Sequence, residues 1–532
     1  MHKNKPFVVH RLTGEFKMKN KSFKLAALVM AAALVFGGCT KDDTQGEQPS
    51  PENLIPQQGG SITLACFVPD TLNPLATQYQ NVRDVLMIVY EGLFKAESTL
   101  EATPVVAQSY TVSTSNKIYT IKIKPDIKFH DGTILDAADV VATFDYIKHY
   151  ETPYSELFKN VLSYKITDAL TVSIELISPQ ADFVNALDFP ILPAGLTKQS
   201  FAKENSSFVP IGTGKFKYES RLQNKNMTFV RNDQWYGSKK AYLDSIKISF
   251  MHSSDDLVHA FDAGEIDMFT TNGSNWGKFN FTANHKIYET SSPRYAFIGI
   301  NTNKEPTSDV VLRRDINSII NRNEIVEDVM FSHASPATLP IISTAYYFEN
   351  AAKSESGSSQ STQKPQILKY NISLKLLYNS ESDIKQRTAA YLKKAFEPYG
   401  ITLVPEAVNF EQYKQRISEA DYDLYIGEVI MNNNMNMDFM FSSLQKTNQN
   451  VCTFANDEFD SLLANLNMMS PDKQNSELFF ENFRKYFDEN VPQIPLFHTN
   501  TALFVSSYIK GGITANMSNF YGDIGNFFIA YK

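Results

Sequence analysis

The sequence predicts a protein of the mixed α/β or α+β class, divided into several domains, and three observations predict it. At 532 residues the chain exceeds what one hydrophobic core supports, so two or three domains are expected. Hydrophobic residues make up 43% and charged residues 20%, a globular balance that excludes disordered and fibrous classes. Apolar residues alternate in some stretches and recur at three and four in others, so strands and helices are interleaved along the chain. Aromatics at 12% suit thick cores or an aromatic-lined cleft.

The first segment is set aside from folding. Lys17, Lys19, Lys21 and Lys24 precede a twelve-residue apolar run, Leu25 to Phe36, and Gly37 and Gly38 lead to Cys39. The run is too short to cross about 30 Å of hydrocarbon. The order reads as a lipoprotein signal over residues 1–38, cleaved before Cys39, whose thiol then carries lipid. Met18 offers an alternative start. Residues 39–58, rich in Pro, Gln and Glu, read as a flexible tether. The chain carries a net charge of −8, and removing residues 1–38 takes away seven Lys/Arg and one Glu, leaving −14. That acidity argues against nucleic acid and against electrostatic docking on anionic lipid, so membrane attachment falls to the lipid anchor.

In the body of the chain, "GSITLACFV" (Gly60 to Val68) and "IYTIKIKPDIKF" (Ile118 to Phe129) alternate as strands do. "VRDVLMIVYEGLF" (Val82 to Phe94) and "DVVATFDYIKHY" (Asp139 to Tyr150) have helical spacing. A helical stretch from Val310 to Phe331 is expected to break near Asn321. Another, Ser382 to Gly400, closes on Gly400 and leads into the strand "ITLVPEAV". Near the end, "LFFENFRKYFDENVPQIPLFHTNTALFVSS" reads as a helix followed by a strand pair. "AAKSESGSSQSTQKP", Ala351 to Pro365, is a low-complexity surface loop. Besides Cys39 the only cysteines are Cys66 and Cys452. Two separate buried thiols are expected, and their pairing stays open.

The most chemical-looking stretch is "FHDGTILDAADV", Phe129 to Val140. Asp131-Gly132 after a strand is a turn signal, because glycine accepts positive φ at no steric cost. Asp136 precedes "AADVV" as a helix cap, with Asp139 in the positive first turn. Scaffold is therefore the favoured reading over a metal site or an acid/base pair. No HExxH and no GxSxG occurs. "GTGK" (Gly212 to Lys215) lacks the GKS/GKT ending of a phosphate loop and continues as a strand. His252 and His259 could share a helix face but lack a carboxylate partner. No metal and no cofactor is expected.

These pieces join into a larger pattern, which resembles the family 5 extracellular solute-binding proteins of ABC transporters, the peptide- and nickel-binding class. The likeness runs in order from about Gly59 to Lys532. It rests on "GGSITLACFVPDTLNPL", "IVYEGLF", "KPDIKFHDGTILDAADVVATFDYI", "IGTGKFKYES", "VRNDQWYGSKKAYLDSIKISFM", "AFDAGEIDM" and "VLRRDINSIINRNEIV". The resemblance implies an α/β, two-lobed, periplasmic-binding-protein-like type II fold with three structural domains and a hinge. Domain I would comprise residues 59–93, 197–295 and 492–532; domain II, 94–196; domain III, 296–491. It further implies a monomeric, non-enzymatic protein outside the cytoplasm, anchored by Cys39, that passes short peptides to ABC permease subunits. Another solute, an oligosaccharide or a nickel chelate, is the alternative; a secreted hydrolase would need a nucleophile–base pair that the residues do not supply.

In peptide-binding members, an acidic residue after a "GW..D"-type segment in the third domain holds the ligand's amino terminus. The matching segment here, Tyr422 to Phe441, carries Glu428 at the Trp position, and the Asp position falls near Met431 or Asn432. Glu428 could supply the missing anion, or Asn432 and Asn433 could bind a neutral ligand. The family's cleft-facing positions add Tyr79, Gln80, Asn81, Asn272, Trp276 and His498. For Trp276 ligand stacking and core packing are evenly weighted, whereas Trp235 is expected to pack structurally.

Overall fold

The computed structural model describes residues 55–180, 182–197, 208–272, 284–342, 345, 368–431, 436–443, 453–468 and 473–530. The signal segment, Cys39, most of the tether, Trp276, Asn432, Asn433, Cys452 and the low-complexity loop lie outside these residues.

A four-stranded antiparallel sheet runs in the order Ala107–Val112, Ile118–Ile123, Thr171–Leu176, Val161–Asp168. Its apolar face, with Tyr119, Ile121, Val172 and Ile174, is buried. The helix Ala137–His149 lies nearby and buries Val140, Phe144 and Ile147. Phe144 meets the rings of Phe158, Tyr164 and Phe189 at 5.3, 5.4 and 5.9 Å. The helix starts in a capping box: the Asp136 carboxylate accepts from the Ala138 amide at 2.7 Å, and the Asp139 carboxylate accepts from the Asp136 amide at 3.0 Å.

"FHDGT" is the turn before that helix. Asp131 Oδ1 accepts from the Thr133 amide at 3.0 Å, and Gly132 sits at φ +88°. His130 Nδ1 accepts from the Gly212 amide at 3.2 Å, and Nε2 lies 3.0 Å from the Gly214 carbonyl. The histidine thus ties this turn to the "GTGK" loop, after which the chain forms the strand Phe216–Leu222.

The larger sheet has 11 strands. Along its path lie Ile401–Val408, Ile372–Asn379, Leu424–Ile430, His285–Ile300, Gln493–Ser506, Met268–Asn272, Ser61–Phe67, Ser245–Met251, Asn226–Arg231 and Phe216–Leu222. The short strand Ala334–Pro336 pairs beside Gln493–Ser506. Apolar clusters cover both faces at each end. One end packs Ile62, Leu64, Ile246 and Ile248 on one face and Phe261, Phe269 and Phe504 on the other. The other end packs Ile298, Leu376 and Ile426 on one face and Tyr295, Phe297 and Tyr425 on the other.

His285–Ile300 and Gln493–Ser506 are antiparallel partners that traverse both ends. Residues 285–291 face 500–506, which also pair with Met268–Asn272; residues 294–300 pair with Leu424–Ile430. Register shifts between Ser291 and Tyr295, so Ser292, Pro293 and Arg294 stand against Thr499 alone.

Several expectations are met at element level. The helical stretch breaks at Asn321, which caps Arg322–Asp328 after Val310–Ile319. Gly400 follows Asp383–Phe396 at φ +74°. Cys66 is a free, buried thiol. Two expectations are corrected. The helix expected over 82–94 spans Gln80–Leu86, because the Val89 carbonyl is taken by the Gly214 amide at 2.9 Å and a Cβ on Gly212 would lie 2.2 Å from it. The strand pair expected after the last helix is one strand, Gln493–Ser506, whose sequence offers no Gly or Pro-Gly turn signal between its halves.

Candidate ligand-binding cleft

In the first lobe, Ser61–Phe67 and Met268–Asn272 are parallel neighbours with Leu64 opposite Met268. Phe67 and Asn272 therefore end at one edge of the sheet, the carboxyl ends of parallel strands, where open α/β sheets bind ligands. Tyr79, 46% exposed, precedes the helix Gln80–Leu86 and meets the Phe67 ring edge-on at 6.3 Å. Gln80 donates to Asp84 at 2.7 Å. Asn81 has a buried Oδ1 with no hydrogen-bond partner. The structure thus brings Tyr79, Gln80, Asn81 and the backbone of Asn272 to the same edge.

In the second lobe, Glu428 lies on Leu424–Ile430 opposite Ala296. Its carboxylate is paired with the Arg294 guanidinium at 2.5 Å. The Lys385 ammonium sits 4.6 Å above the Tyr413 ring. Burial pushes the Lys385 pKa down to about 8, with the Glu428 carboxylate acting against that shift. Glu428 is therefore met by one cation directly and by the field of a second. Sequence reading singled out neither Arg294 nor Lys385; the only local signal was the Ser292-Pro293-Arg294 interruption of a strand.

His498 lies on Gln493–Ser506, 1% exposed, with Nε2 3.1 Å from the Ile341 carbonyl and its ring 5.2 Å from Tyr295. Burial pushes its pKa down to about 4, so it is neutral at physiological pH. In this conformation its side chain is packed inside the second lobe and reaches no solvent. Trp235 donates from Nε1 to Glu91 at 3.2 Å and carries the Lys215 ammonium 4.7 Å over its ring. Glu91 also accepts from Thr213 at 2.8 Å, and burial raises its pKa. This node joins segments of the first lobe.

Paired sheet ends joined by two shared long strands, with polar side chains at strand ends, define a two-lobed binding protein of the type II periplasmic-binding-protein fold. The model for the bacterial extracellular solute-binding proteins, family 5 middle region, matches residues 101–451. The chain belongs to that family, and it is a solute-binding protein rather than an enzyme. It is similar to the oligopeptide-binding protein AppA of Bacillus subtilis, 23% identical over 532 residues that cover 93% of this chain and 96% of AppA. The crystal structure of the substrate-binding protein CtaP from Listeria monocytogenes matches with a TM-score of 0.72 at 21% identity, over 89% of this chain and all 100% of CtaP. NikZ of Campylobacter jejuni, solved with Ni(L-His), matches with a TM-score of 0.62 at 20% identity, over 89% of this chain and 100% of its own. Among the described residues no helix is long and apolar enough to cross a membrane.

Proposed function

We propose that this protein captures short peptides between its lobes and delivers them to the permease of an ABC transporter, held at the membrane by lipid on Cys39. The observation that carries the reading is the pair of long strands shared by both lobes, with its register break at Ser292–Arg294. Strands that continue through both lobes keep them aligned, while a local break lets them rotate about it. The likeness to AppA, named for oligopeptides and solved with a nonapeptide, supports peptides as the solute. The likeness to CtaP, an ABC transporter substrate-binding protein, supports the transporter partnership. Domain I as residues 59–93, 197–295 and 492–532, domain II as 94–196 and domain III as 296–491 is the division that goes with this reading. Tyr79, Gln80, Asn81, Asn272, Trp276, Glu428, Asn432, Asn433 and His498 are the proposed cleft residues, His498 from behind the surface.

A buried ligand charge must find a partner, because an unpaired one is costly. On the peptide reading the ligand ammonium takes Glu428 from Arg294. A second reading, a neutral or anionic solute such as an oligosaccharide or a metal chelate, is favoured by one observation: Glu428 already has its cation. Native mass spectrometry of the purified protein, followed by denaturation to identify what is released, separates the two. Co-purifying peptides are expected. Their loss in Glu428→Gln, and their retention in Arg294→Gln, would place the ammonium on Glu428. Release of a sugar or metal chelate, with no peptide, would establish the second reading.

A further inference from the structure

Leu100 sits in the turn Glu97–Glu101 of the hairpin Phe94–Ala96 and Ala102–Pro104. Its amide donates to the Glu97 carbonyl at 2.9 Å, and its φ is +65°. Leucine seldom adopts this left-handed backbone, whereas asparagine and glycine do so readily. The neighbours Glu97, Ser98, Thr99 and Glu101 are polar, as an exposed turn requires. Leu100 nevertheless has 0% of its surface exposed.

The reason lies in the other lobe. Leu100 belongs to a buried apolar cluster whose other buried members fall between Tyr295 and Phe487, among them Leu339, Ile341, Met431 and Met437, with Met517 packed against it from the hairpin's own side. A turn of the first lobe thus packs its single apolar residue against buried residues of the second. The base of the hairpin is held on its own side by Asn516, whose Nδ2 donates to the Ala96 carbonyl at 2.9 Å. A second turn of the first lobe also reaches across: Asn116 Nδ2 donates to the Met468 carbonyl at 2.9 Å.

We propose that Leu100 is a latch that holds the lobes together before any solute arrives. Its side chain moves between water, when the lobes part, and the second lobe's buried residues, when they meet. The unfavourable turn geometry is tolerated because of that burial. Removing a buried leucine from such an interface lowers the closed-to-open ratio by about tenfold or more. The proposal rests on the reading of two lobes that open and close.

Leu100→Asn tests it, since asparagine suits the left-handed turn and removes only the apolar insertion. Solution scattering of the solute-free protein is expected to show a larger radius of gyration in Leu100→Asn than in wild type, with an unchanged far-UV spectrum, and wild-type dimensions in Leu100→Met. Leu100→Gly serves as a second variant of the same kind. A folded Leu100→Asn with wild-type scattering overturns the latch, as does a wild type already as expanded as the variant. Loss of the folded spectrum in both Leu100→Asn and Leu100→Gly would make Leu100 a folding residue of its hairpin and also overturn it. None of these outcomes bears on whether peptides co-purify, which tests the function separately.

Discussion

Both ring nitrogens of His130 are committed to one loop, and that commitment has a pH signature. Nδ1 accepts from the Gly212 amide, so the proton sits on Nε2 and is donated to the Gly214 carbonyl. Burial pushes the pKa down to about 4, against about 6.5 for a histidine in an unfolded chain. Between those values the unfolded chain takes up a proton that the folded chain refuses. Stability from His130 is therefore full above pH about 6.5 and is lost as the pH falls toward 4. His498 acts in the same direction, its pKa also about 4. Asp84 opposes them: burial raises its pKa to about 6, so its contribution is present in acid and lost as the pH rises through 6. Glu91, Asp139, Asp438 and Asp488, whose pKa values burial also raises, act with Asp84, so the histidine contribution is read as a difference between wild type and a His130 variant. From pH 7.5 down to 4.5, the melting temperature of wild type should change less favourably than that of His130→Gln, because only wild type carries the buried imidazole. A variant slope equal to that of wild type would remove His130 from the account.

Helix ends and turns were the most legible elements, because their determinants lie within a few residues. Asp136 and Asp139 cap Ala137–His149, Asn321 divides one apolar-periodic stretch into two helices, and Gly400 ends a third. Each is a local donor–acceptor or φ requirement that the chain states in place. Asp136→Ala removes a cap and should lower stability by about 1 kcal/mol in chemical denaturation. Retention of full stability would mean that the second carboxylate, Asp139, holds the helix start alone. The early end of Gln80–Leu86 was not legible: the groups that claim the Val89 carbonyl belong to residues 212–214, more than a hundred positions away. The same distance hid Arg294 from Glu428 and Leu100 from the cluster it enters. Glu428 could be singled out as an acid, but its neutralisation depends on the Ala296–Glu428 register, which only the folded sheet establishes.

At the scale of the whole molecule, the order of the 11 strands is a product of pairing between distant segments. Alternation reveals that a stretch is a strand but not which neighbour it takes. The family resemblance implied two lobes and a hinge but not the strand order, which the structure supplies. If Leu100 holds the solute-free protein closed, solute can enter only from the open fraction, and the observed association rate scales with that fraction. Leu100→Asn should then accelerate association of a fluorescently labelled nonapeptide pool by up to the factor by which it lowers the closed-to-open ratio, about tenfold or more. Dissociation should accelerate as well, because the bound form loses the same buried side chain. The affinity then changes less than either rate. Stopped-flow traces of the pool with wild type and variant read both constants. A variant that weakens affinity through dissociation alone, with wild-type association, would place Leu100 in the wall of the bound state and remove it from the resting equilibrium between lobes.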